Sequence, residues 1–175
     1  HRYTRMRQGW STAGFVGWSL FAIFGLQLVL SLILSLPFIA VFSSQAEPDT
    51  LVTVGFAVAL IGFVYECIAD AQLKIFRATP SGAKGVLNTG LWRYSRHPNY
   101  FGEWLFWWGI WLVAIGFGVS PWTVLSPLLL TVLLFQVSGV KNMESTIKER
   151  RQDYARYVQT TNAFFPGRPD RSHAA

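Results

Sequence analysis

Residues 85–103 concentrate groups able to hold an anion beside an apolar phase. Arg93, Arg96 and His97 each carry N–H donors for phosphate oxygens, and the guanidinium fork suits that geometry best. Gly82, Gly85 and Gly90 let backbone come close to a bulky ligand. The His97–Pro98 step breaks the chain ahead of a helix, which puts Asn99, Tyr100 and Glu103 on its first turn. The start of that helix is itself an anion or dipole site. A plainer assignment makes the cations topological anchors and Asn99 a helix N-cap.

Upstream, Glu66, Asp70, Lys74 and Arg77 follow one another at intervals of four, four and three. That spacing places them on one helical face, where Asp70 and Lys74 can form a surface ion pair. Glu66 lies at the edge of an apolar run, where a carboxylate is costly and usually faces a cavity. Further on, Trp104, Trp107, Trp108 and Trp111 form a stripe of indoles. The stripe can line a pocket for a flat apolar substrate; packing against lipid or neighbouring helices is the favoured reading.

The elements that position these groups are membrane spans. Only 14% of the 175 residues are charged, and residues 15–42, 51–65 and 104–140 contain no charge at all. Such runs match the roughly 20 apolar residues that cross a bilayer. The expected fold is an all-α polytopic bundle of four spans, at about 13–42, 51–69, 100–118 and 122–140. A loop over 74–98 joins the second and third spans, an amphipathic helix covers 141–161, and 166–175 is a disordered tail. Residues 1–165 form one domain. Pro37 is expected to bend the first span.

The fifteen Lys and Arg occupy residues 2–7, 74–96 and 141–171, which four alternating spans place on one side. The loops on the other side hold none. By the positive-inside rule the basic loop and C-terminus are cytoplasmic. The net charge of +6 is therefore no nucleic-acid footprint, and part of it can meet anionic lipid headgroups. A lone Cys67, expected to pack within the second span, rules out an internal disulfide, and the three dispersed His have no metal-ligand spacing. The chain opens at His1 without an initiator Met, and residues are expected to be missing upstream.

Residues 90–103, GLWRYSRHPNYFGE, resemble the signature of bacterial DUF1295 proteins, relatives of steroid 5-alpha-reductase. The likeness extends to Arg2 and Tyr3, to residues 63–73, to residues 137–140, to Glu144, and to Tyr154, Tyr157, Phe165 and Pro166. It implies part of a seven-span, NADPH-dependent reductase fold in the bacterial inner membrane, related to sterol reductases and isoprenylcysteine carboxyl methyltransferases. It aligns Asn99, Asp70 and Arg77 with NADPH ligands of that family. Glu66 stands where the family has Asn, and Lys84 where it has Tyr. Gln136, Val140 and Glu144 occupy about the places of an Arg-His-Tyr series. Arg93, Arg96 and His97 are then expected to supply the cations, with Tyr94, Tyr100 and Glu103 beside them in the cofactor site.

The reaction so implied is hydride transfer to the beta carbon of an enone in a lipid or steroid-like substrate. The Glu and Tyr that polarise the carbonyl in the family precede the stretch present here. Two other functions fit the residues: an S-adenosylmethionine-dependent methyltransferase acting on a lipid-linked thiol, and a non-catalytic membrane module.

Overall fold

In a computed structural model, residues 12–83, 85–137 and 153–170 are described. All regular structure among them is helical. Helix α1 (Thr12–Ser19) runs through a π turn, Leu20–Phe24, into α2 (Gly25–Ser43). Helix α3 (Thr50–Arg77) follows, then 3-10 turns at Pro80–Ala83 and Gly90–Arg93, and α4 (Pro98–Gly116). A 3-10 turn at Pro121–Val124 opens α5 (Leu125–Val132), which passes into a π segment, Leu133–Val137. The last element is α6 (Tyr154–Thr160).

The hairpin of α3 and α4 is the spine of the fold, and small residues built it. Gly55 and Gly62 recur at seven on α3, with Ala59 between them and Ala69 a further seven along. Gly102, Gly109 and Gly116 recur at seven on α4. A Cβ added at any of these five glycines would lie within 2.6 Å of a backbone nitrogen on the other helix. The two backbones are therefore in direct contact, the close approach that small residues permit between helices. The register follows. Val52 meets Gly116, Gly55 meets Val113, Ala59 meets Gly109, Gly62 meets Phe106, and Glu66 meets Gly102. One further turn of α3 carries Asp70 to the first turn of α4.

At the far end of the hairpin, Asp49 caps α3 by accepting from Leu51 N at 2.7 Å, and its own N–H donates to Gly116 O at 2.9 Å. Ser44 Oγ donates to Phe117 O at 2.6 Å, and Gly118 takes a positive φ of 68° that closes the turn. Helices α2 and α5 pack beside this hairpin. Pro37 is buried within α2, and Ser126 Oγ donates to Leu34 O in the turn before it at 3.2 Å.

Two helical stretches, Gly17–Ser43 and Thr50–Arg77, are long and apolar enough to cross a membrane. Pro121–Gln136 is apolar but shorter. The four expected spans thus reduce to two that meet the length and hydropathy test. The physical reason is that α4 spends its first turns on Pro98, Asn99, Tyr100 and Glu103 and its middle on indoles, which lowers its hydropathy. No residue in the most apolar 18-residue window within Gly17–Ser43 is buried, and Phe21 and Phe42 are 86% and 88% exposed. A core helix of a soluble protein would have the opposite pattern. Cys67, expected to pack, is exposed on α3.

The tryptophan stripe packs on neighbouring elements. Trp104 Nε1 donates to Thr131 Oγ1 at 3.1 Å, Trp107 meets Phe38 edge-on, and Trp104 contacts Phe164 and Phe165. Of the amphipathic helix expected over 141–161, Tyr154–Thr160 is helical, and residues 141–152 lie outside the described residues. The expected disorder from Pro166 gives way, up to Asp170, to chain that folds back. Gly167 N donates to Tyr94 O at 3.0 Å and Asp170 N to Thr160 O at 2.9 Å.

Candidate functional site

Helix α4 begins at Pro98, whose missing N–H costs nothing in the first turn. His97 is therefore the N-cap, and Asn99 sits inside the helix rather than capping it. Its side chain is released to reach α3. Asn99 Nδ2 donates to Asp70 Oδ1 at 3.1 Å, across the register that the glycines set.

The loop between the helices is clamped from both sides. Gly90 has φ of 59°, and a Cβ there would strike the Gln72 amide. That same amide accepts from Leu91 N at 3.0 Å. Trp92 is buried, and its Nε1 donates to Ala69 O at 3.0 Å. From the other side comes the C-terminal segment. Tyr157 Oη donates to the carbonyls of Trp92 and Ser95. Ser95 Oγ donates to Phe164 O at 2.7 Å and accepts from His97 N at 3.1 Å. Arg96 N donates to Asn162 O at 2.9 Å, while its Nη1 donates to Val158 O at 3.0 Å and Thr161 O at 2.6 Å. A cation is well placed on the last carbonyls of α6.

These contacts enclose a cleft of about 420 Å³. Helix α3 contributes Asp70, Leu73, Phe76 and Arg77, and the loop Val86, Leu87, Trp92, Arg96 and His97. Asn99 and Tyr100 of α4 and Tyr154 and Tyr157 of α6 complete the wall. The His97 and Tyr100 rings are stacked, 5.5 Å apart and 4° from parallel. The cleft thus offers a carboxylate and an amide for hydroxyl groups, guanidinium for anions, and flat ring faces for a planar group.

Six of the residues expected from sequence meet here: Asp70, Arg77, Arg96, His97, Asn99 and Tyr100. Others do not border the cleft. Glu66 and Glu103 lie one turn deeper along α3 and α4, within electrostatic reach of each other and of Asp70. Arg93 and Tyr94 line a separate cleft with Arg168, Pro169 and Asp170, because the 3-10 turn at Gly90–Arg93 carries them away from α3. Lys84 lies outside the described residues, as do Val140 and Glu144. Sequence reasoning missed Trp92, Tyr154 and Tyr157 as cleft walls. A lone indole in a glycine-rich loop, ending up buried, was the available signal for Trp92.

Tyr157→Phe tests the clamp. The ring stays, but the one O–H shared between the Trp92 and Ser95 carbonyls is lost, at a cost of about 1–3 kcal/mol. The expected result is a melting temperature lower by roughly 2–10 °C, measured by thermal denaturation in detergent. An unchanged value would show that the hydroxyl does not hold the loop.

The family model described as "Protein of unknown function (DUF1295)" matches residues 1–161. Among curated proteins, a "Probable O-methyltransferase ustE" of Ustilaginoidea virens is 34% identical over 62 residues, which cover 33% of this chain and 22% of that protein. The chain thus matches about a fifth of that relative's length. No solved structure matches.

Proposed function

The chain belongs to the DUF1295 family, and on that premise we propose that it is the cofactor-binding part of a membrane-embedded, NADPH-dependent reductase of an enone-containing lipid or steroid-like substrate. In this reading four helical segments cross the bilayer and the cleft opens on the basic, cytoplasmic side. One observation carries it. Asp70, Arg77 and Asn99, which resemblance aligns with dinucleotide ligands from separate stretches of chain, border one cleft, and Asp70 and Asn99 are hydrogen-bonded.

The donor set fits such a cofactor. Asp70, held by Asn99, accepts hydrogen bonds from ribose hydroxyls. Arg77 offers its guanidinium fork to phosphate. Tyr100, stacked on His97, presents a flat face to a ring. Arg96 is committed to the carbonyls of Val158 and Thr161, so it holds the α6 wall in place while adding positive charge. NADPH, when bound, supplies a hydride. The chain's own residues bind and orient, and the packed loop and α6 keep water from that side of the cleft.

The test is NADPH affinity of the intact protein in detergent or nanodiscs. Asn99→Ala and Asp70→Asn are each expected to weaken it about tenfold, the effect of a lost polar contact to the ligand. Unchanged affinity in both variants overturns the reading.

A second reading has a specific observation behind it, the printed name of the Ustilaginoidea virens relative. A methyltransferase of lipid-linked groups would use the same cleft for S-adenosylmethionine. That cofactor carries no phosphate, so the surplus of Arg77 and Arg96 over Asp70 favours NADPH. Calorimetry with each ligand separates the two: a methyltransferase binds S-adenosylmethionine and ignores NADPH.

A further inference from the structure

Arg93, expected among the cofactor residues, does not border the cleft of Asp70 and Asn99. It lines a second cleft, of about 650 Å³, with Tyr94, Arg168, Pro169 and Asp170. We propose that this cleft is a binding site for the phosphodiester headgroup of an anionic phospholipid. The proposal depends on the membrane placement described above, and not on the identity of the cofactor.

Three observations lead there. The first is charge. Arg93 and Arg168 come from the loop and the C-terminal segment, and both are exposed. Neither guanidinium has a hydrogen-bond or ion-pair partner among the described residues. Among the described lining residues they and Asp170 sum to a charge of +1, opposite in sign to the phosphodiester of a phosphatidylglycerol headgroup. The second is depth. Phe165, 56% exposed, rests on Phe101 and Trp104 in the first two turns of α4, and Tyr94 is 43% exposed at the cleft itself. Half-exposed aromatic rings beside arginines are the side chains of a membrane–water boundary. The third is construction. Gly167 N donates to Tyr94 O and Asp170 N to Thr160 O, so the backbone flanking both arginines is held in place. A fixed pair of guanidiniums at headgroup depth selects a lipid phosphate over a soluble one, because the acyl chains of the lipid lie in the adjoining bilayer.

The experiment uses the whole protein in nanodiscs of phosphatidylcholine with increasing phosphatidylglycerol, following the melting temperature. Native mass spectrometry counts the retained lipids. Wild-type protein is expected to be stabilised by phosphatidylglycerol and to keep at least one molecule. Each cation near a membrane surface contributes about fivefold in affinity, so Arg93→Gln with Arg168→Gln together should weaken the lipid effect roughly 30-fold. Arg156→Gln, on α6 and outside this cleft, should leave it unchanged. Inorganic phosphate at matched charge should not stabilise the wild type.

The proposal is overturned if the double variant keeps the full phosphatidylglycerol response, if Arg156→Gln loses as much, or if free phosphate reproduces the effect. Should the double variant fail to fold, Arg93→Lys with Arg168→Lys and the wild-type lipid count decide. Wild-type protein that retains no phosphatidylglycerol also overturns it.

Discussion

Replacing Gly62 with leucine is expected to lower the melting temperature by roughly 6–12 °C and to abolish tight cofactor binding. An added Cβ at Gly62 meets the backbone of Gly102, Leu105 and Phe106, none of which can rotate away. Helices α3 and α4 must separate, and overpacking of this kind costs about 3 kcal/mol or more. The displacement passes down the hairpin to Asp70 and Asn99, whose bond depends on the same register. Gly109→Leu should do likewise from the opposite helix, since its Cβ would strike Ala59. Gly25→Ala is the control. Nothing lies within 4 Å of a Cβ there, so stability should hold or rise slightly. Thermal melts in detergent, with NADPH titration of the surviving folded protein, check all three. A Gly62→Leu protein as stable as wild type would mean that the backbones are not in contact.

Arg96→Ala and Arg77→Ala should separate two jobs performed by one residue type in one cleft. Arg96 Nη1 holds the carbonyls of Val158 and Thr161. Bonds from a charged donor contribute about 1.5–3 kcal/mol each, and the partial exposure of Arg96 keeps the combined loss toward about 2–4 kcal/mol. A fall in melting temperature of roughly 5–15 °C follows. Cofactor affinity should fall with it, because α6 brings Tyr154 and Tyr157 to the cleft wall. Arg77 lies exposed at the end of α3 and borders the same cleft. Its loss should leave the melting temperature unchanged and weaken NADPH binding about tenfold, as expected for a phosphate contact. Equal melting temperatures for the two variants would reject the structural role of Arg96.

The contrast between Arg93 and Arg96 shows where reading along the chain stops. Both are arginines of one short motif, three residues apart, beside an apolar helix. Both looked like phosphate donors. Their directions were decided by Trp92, whose burial against Ala69 fixes the loop, and by α6, which takes Arg96 and leaves Arg93 on the other side. Neither contact is local. Trp92 bonds a residue 23 positions away and Arg96 residues 62 and 65 positions away. Asn99, a capping residue by type, lies inside the helix because the proline before it is the first helical residue.

The sequence by itself determined the family, the helical class and the apolar character of the first two long helices, because these follow from motif and from composition along a single segment. The registration of α3 on α4 is also written in the sequence, as glycines at intervals of seven. Resemblance to the family marked Asp70, Arg77 and Asn99 as candidate cofactor residues. Only the tertiary structure decided which of the marked groups share a cleft. Their directions depend on backbone contact between two helices and on a C-terminal segment folding back over the loop, and such long-range packing leaves no trace in local spacing.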